Sequence, residues 1–154
     1  MGYVILSEDL RTMTIPATER IIGCVGDKNV RNVYFRMPRY CDDTDLSGYR
    51  IQVHYINASG VGNYYEVVDA VIGEEFIEFS WLVDRLACAS VGRVEVNVVL
   101  TAYDSAVVNN RYISGIGKFK VKPGFINDPS GPIAIDEEGD FLVFLVKSED
   151  ESGD

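Results

Sequence analysis

One stretch limits the fold more than any other: Gly92 to Asp104, GRVEVNVVLTAYD. Val94, Val96, Val98, Leu100 and Ala102 fall on one side, and Arg93, Glu95, Asn97, Thr101 and Tyr103 on the other. That is the period of two of a half-buried strand, whereas a helix would scatter the same apolar residues around its circumference. A long strand with one dry face needs a second layer to cover it.

The rest of the chain repeats the pattern. Val33, Phe35 and Met37 alternate with Tyr34 and Arg36, and Ile51, Val53 and Tyr55 alternate with Gln52 and His54. Short strands are expected at 3–6, 12–15 and 20–25. Residues 64–72 and 76–81 should form a hairpin about Gly73-Glu74-Glu75. A return strand over 112–121 should follow the loop 104–110, with Ile113, Phe119 and Val121 inward and Lys118 and Lys120 outward. The period changes once, where Leu82, Val83, Leu86 and Ala87 take helical spacing, predicting one or two helical turns capped by Ser80. With no alternation of strands and long helices, the expected class is all-β: an antiparallel two-sheet β-sandwich with one short helical segment near 80–89.

Asn127-Asp128-Pro129-Ser130-Gly131-Pro132 is the strongest breaker cluster. It divides a sandwich domain, 1–126, from a segment 127–154 read as a linker, a short hairpin about Glu138-Gly139 and an acidic tail. The net charge of −10 is concentrated there: from Asp136 onward eight acids face one lysine, while residues 1–135 hold sixteen acids against thirteen bases. A nearly neutral body offers no footprint for phosphate backbones, so no nucleic-acid partner is expected. Three cysteines without C-x-x-C spacing argue against a disulfide framework and for reduced thiols. The first residues lack a basic region and hold only a short apolar run, so no signal peptide is expected, and no stretch is long enough to span a membrane. The expectation is a chain that folds in a cytosol.

Candidates for chemistry read blandly. His54 is the only histidine and sits on the polar face of a strand, without a G-x-S-x-G elbow or an H-E-x-x-H helix to give it a partner. Asp43-Thr44-Asp45-Leu46-Ser47-Gly48 imitates the first half of a calcium loop, but His54 stands where the bidentate glutamate belongs. Asp136, Glu137, Glu138 and Asp140 cluster at a hairpin tip, where carboxylates are normally solvated. Trp81, in register with Phe79 and Ile77, reads as core instead of a sugar-stacking platform. No catalytic residue, metal site or cofactor is expected, and the chain is not read as an enzyme. One stretch resists: Phe141 to Val146 is apolar on both faces of any strand. Either it lies between layers of its own domain or one face docks onto another chain, in which case Phe141, Val143, Phe144 and Val146 would anchor the contact.

The passages SGYRIQVHYINASG, YYEVVDAVIGEEFIEFSWLVDRLACASVGRVEVNVVLTAYDS and GKFKVKPGF, between Gly48 and Phe125, resemble a domain of phage and prophage tail and baseplate proteins. They are similar to the N-terminal domain of baseplate upper proteins, and the opening ERIIGCVGDKNVRNVYFRMP fits the same pattern. The resemblance implies a β-sandwich that attaches to a tail or baseplate and presents fibres or receptor-binding parts. It implies other tail proteins as partners, a homo-oligomer, location in the virion tail, and no enzymatic residues to carry over. The rival reading is a carbohydrate-binding module that recognises a host-surface glycan through exposed tyrosines such as Tyr64, Tyr103 or Tyr112 with the loop acids.

Overall fold

In the computed structural model, which describes residues 2–124, almost all regular structure is extended. The strands are β1 (Tyr3–Leu6), β2 (Met13–Thr14), β3 (Ile21–Cys24), β4 (Asn32–Pro38), β5 (Tyr40–Cys41), β6 (Thr44–Asp45), β7 (Arg50–Ile56), β8 (Gly62–Glu66), β9 (Val71–Ile72), β10 (Phe76–Leu82), β11 (Gly92–Asp104), β12 (Val107–Ile113) and β13 (Gly117–Lys122). The first sheet has the order β2-β1-β4-β10-β9, and the second β3-β13-β11-β7-β8, with β12 also on β11; β5 and β6 pair separately.

Alternation sets which face is buried. Val33, Phe35 and Met37 of β4, Ile77, Phe79 and Trp81 of β10, Ile51, Val53 and Tyr55 of β7, and Val94, Val96, Val98 and Leu100 of β11 all enter one shared core. The two layers meet through Trp81 of the first sheet, which contacts Phe119 and Tyr55 of the second. The molecule is an all-β sandwich, as the alternation of β11 requires.

Four local expectations are corrected. The sheets are not wholly antiparallel: β1 runs parallel to β4, and β3 parallel to β13. Both pairs join an early strand to one reached only after the chain has visited the other sheet, the kind of long crossover that parallel pairing needs.

Residues 64–72 form two strands. β8 pairs with β7 in the second sheet and β9 with β10 in the first, so 67–70 carries the chain from one layer to the other. Asp69 anchors this crossing by accepting hydrogen bonds from the Ser80 N–H at 3.0 Å and the Ser80 hydroxyl at 2.5 Å.

Ser80 is therefore a strand residue and not a helix cap. Pairing between β10 and β4 continues to Leu82↔Asn32, and this ladder overrides the helical spacing of 82–87. Turn-type bonds begin beyond it, Cys88 N–H to the Arg85 carbonyl and Ala89 N–H to the Leu86 carbonyl, with Asp84 accepting from the Ala87 N–H.

The return strand over 112–121 is broken as well. β11 turns at Ser105-Ala106 into β12, which pairs with its distal half, and β13 pairs with its proximal half. Between them Ser114 donates its N–H to the Val98 carbonyl and accepts the Val98 N–H on its hydroxyl, so the ladder is kept through a side chain. Gly115 donates to the Leu10 carbonyl, and a Cβ there would collide with the Arg11 backbone. Phe119 and Val121 are buried as expected, but Ile113 is exposed, because it belongs to β12 and not to the strand that lines the core.

The division at 127–154 and the terminal hairpin lie outside the described residues. So do the carboxylates Asp136, Glu137, Glu138 and Asp140 and the anchors Phe141, Val143, Phe144 and Val146.

Candidate functional site

The outer face of the second sheet gathers the polar side of its two clearest strands. Alternation turns Arg50, Gln52 and His54 of β7 outward, and pairing sets His54 opposite Tyr64 and Gln52 opposite Glu66 on β8. On the other flank, Asn97, Val99 and Thr101 of β11 stand opposite His54, Gln52 and Arg50.

These side chains form a connected network. Arg50 donates to Glu66 at 2.7 Å, Gln52 donates to the other Glu66 oxygen at 3.0 Å, and the Gln52 carbonyl oxygen lies 2.9 Å from His54 Nε2. His54 stacks on Tyr64 with ring centroids 5.3 Å apart. Partial burial, and then the positive charge of Arg111, hold the His54 pKa below its ordinary value. Burial pushes Glu66 upward, but its bonds from Arg50 and Gln52 outweigh that and leave it below the usual carboxylate range.

Val99 and Thr101 point outward yet are buried. Their cross-strand neighbours are Gln52 with Ile113, and Arg50 with Arg111. The alternation of β11 carries the signal at one position, since Val99 stands where a polar residue would be expected.

Beside this network lies an open groove of about 490 Å³, lined by His54, Ile56, Tyr64, Glu95, Asn97 and Ile116 among others. Tyr64, Ile56 and Ile116 are each half exposed or more. The groove mixes aromatic and aliphatic surface with amide and carboxylate groups, a lining suited to an uncharged polar ligand or to a neighbouring protein surface.

At the far end of the same sheet, β11 and β12 run on together as a two-stranded ribbon past the last pairing with β7, Thr101↔Arg50. Val107 and Val108 are exposed on it, as is Tyr103, with the Arg50 guanidinium 5.8 Å from the Tyr103 ring. Among the described residues β12 pairs with no strand but β11. Sequence reasoning missed the ribbon by assigning 104–110 to a loop; the VVNN run at 107–110 was the available signal.

The other sequence candidates are dispersed. Trp81 and Phe79 are core, so Trp81 offers no platform for a sugar. Tyr112 packs partly buried against Tyr49, leaving Tyr64 and Tyr103 as the accessible members of the tyrosine set. Asp45 receives two bonds from Arg39, both at 3.1 Å, and caps the Ser47 N–H, while Leu46 is fully buried. The Arg39 bonds hold the Asp45 carboxyl far below its ordinary pKa. The loop is tied to the first sheet, since Arg39 also donates to the Gly73 carbonyl. The described residues contain no cluster of three or more His, Cys, Asp or Glu side chains able to hold a metal, and no helix long and apolar enough to cross a membrane.

No protein-family model matches the chain, and no curated protein matches it. Among solved structures it is similar to the N-terminal domain of phage TP901-1 ORF48, with a TM-score of 0.49 and 10% identity over 78% of this chain and 94% of that one.

Proposed function

We propose that this protein is a structural component of a phage or phage-like tail or baseplate, a non-enzymatic β-sandwich module that assembles by protein–protein contact and attaches fibres or receptor-binding parts. The observation that carries this reading is the β11–β12 ribbon. It runs on past the last pairing with β7, exposes Val107 and Val108, and has one edge unpaired among the described residues. A free, β-prone, partly apolar edge is a hazard to a solitary protein and an asset to one that adds strands or surfaces to neighbours. The resemblance of 48–125 to baseplate domains supplies the kind of neighbour, other tail proteins or further copies of the chain.

The test is co-expression with the proteins encoded by adjacent genes, followed by size exclusion with light scattering. The expected result is a stable complex that is lost in the Val107→Asp/Val108→Asp variant, with the variant's circular dichroism unchanged. A chain that stays alone beside every such neighbour overturns the reading.

A carbohydrate-binding role is the second reading, and the groove beside Tyr64 is what favours it. It predicts saccharide-induced shifts of the His54, Tyr64 and Asn97 signals in nuclear magnetic resonance that vanish in Tyr64→Ala. A broad saccharide panel that moves none of these signals removes it.

A further inference from the structure

We propose that the outer face of the first sheet is a contact surface for a second copy of this chain, docked face to face about a two-fold axis that runs along the strands between β4 and β10. The inference goes beyond the assembly role: it uses a different face from the β11–β12 ribbon and stands whether or not the ribbon engages a neighbour.

Strand register builds this face. One rung crosses all five strands, with Thr14 of β2, Ile5 of β1, Arg36 of β4, Glu78 of β10 and Val71 of β9 side by side. On the next rungs Pro38 stands opposite Phe76, and Tyr34 stands between Tyr3 and Ser80. Alternation turns these residues away from the core, which takes Val4, Phe35, Met37, Ile77 and Phe79 instead. Arg36 and Glu78 are the only charged strand residues on the face, while Ile5, Val71 and Phe76 are exposed on it. The outer face of the second sheet differs, since Arg50, His54, Glu66 and Glu95 lie on it. Aromatic and aliphatic surface around a single ion pair has the composition of an interface core, where Tyr, Phe and Arg are enriched.

The choice of a second copy as occupant follows from charge complementarity. Arg36 Nε and Nη2 both meet Glu78 Oε2 at 2.7 Å, and Arg36 Nη1 and Glu78 Oε1 make no hydrogen bond among the described residues. A two-fold axis along the strands exchanges the two halves of each rung. Arg36 then lies over Glu78 of the second copy, Ile5 over its Val71 and Pro38 over its Phe76, so cation meets anion and apolar side chains meet apolar ones. Sheets stack in this aligned way, ~10 Å apart with strands within about 30° of each other. The guanidinium lies over the Tyr3 ring at 4.6 Å and the Phe76 ring at 5.5 Å, which holds it in place and lowers the ordering cost of a cross-copy ion pair. The face is small, so the dimer belongs to the weak, concentration-dependent class.

The test is sedimentation velocity of the full chain between ~10 and ~500 µM, the range in which a weak dimer forms. The unaltered protein should pass from monomer to dimer. Arg36→Glu and Glu78→Arg should each remain monomeric, because like charges then face each other across the axis, and a one-to-one mixture of the two variants should recover the dimer. Val71→Asp, at an exposed edge position, should also weaken it, whereas Val107→Asp/Val108→Asp should leave it unchanged. Circular dichroism confirms that each variant is folded. A monomer at every concentration overturns the proposal, as does a dimer that survives both charge reversals, a mixture that stays monomeric, or a dimer lost in the ribbon variant.

Discussion

Trp81 of β10 meets Phe119 of β13 edge to face across the interior, with ring centroids 6.2 Å apart, and Tyr55 of β7 lies against the same indole at 5.6 Å. This triad is where the first sheet is fastened to the second. Trp81→Ala should cost about 3–5 kcal/mol, read as a shift of the urea midpoint by circular dichroism. Trp81→Phe should cost well under half of that. It keeps most of the apolar volume and also removes Nε1, a buried donor that has no partner. Equal losses in the two variants would mean that the indole is held by something other than packing.

Asp69 fixes the point where the chain changes sheets. Its carboxylate satisfies both the backbone and the hydroxyl of Ser80, and Asp69→Ala leaves a largely buried N–H without an acceptor. The expected loss is about 1–3 kcal/mol, with faster hydrogen exchange at the Ser80 amide. Ser80→Ala keeps the backbone bond and should cost less. A reversed order would show that the hydroxyl is the more important donor.

The architecture was legible wherever one face of a strand is dry and the other wet. β4, β7 and β11 were all readable this way, down to the inward register of Val33, Ile51 and Val94. Two of the errors share one physical origin, pairing between distant residues. The break between β8 and β9 exists because they join different sheets, and Ser80 remains extended because Asn32 and Tyr34 pair with that stretch. Nothing within a local window encodes either fact. The candidate site was half readable: His54 and Tyr64 could be placed outward, but their stacking depends on a register set by the 57–61 turn. The ribbon was missed because a two-residue turn at Ser105-Ala106 carries no glycine or proline to announce it.

The three cysteines should separate by reactivity. Cys24 is exposed, whereas Cys41 and Cys88 are buried. Burial, followed by the negative charge of Asp27, pushes the Cys88 thiol up to about 12, and burial also raises Cys41. Because the thiolate is the nucleophile, a chromogenic disulfide reagent at about pH 8 should titrate one thiol quickly in the folded protein and all three in denaturant. Two fast thiols under native conditions would place Cys41 or Cys88 at the surface.

His54 provides a pH test of the outer-face network, made simple because it is the only histidine. Its folded pKa is lowered, first by burial and then by Arg111, so between that value and the ordinary ~6.5 the folded state holds fewer protons than the unfolded one. The sign follows: this contribution to stability is fully present above about 6.5 and is lost as pH falls through that interval. Imidazole resonances should titrate with a midpoint below 6.5. Arg111→Gln should raise the midpoint only part of the way back, since burial, the larger cause, is untouched. A wild-type midpoint at or above ~6.5 would mean that His54 is better solvated than its stacking on Tyr64 implies, and would open the network beside the groove to water.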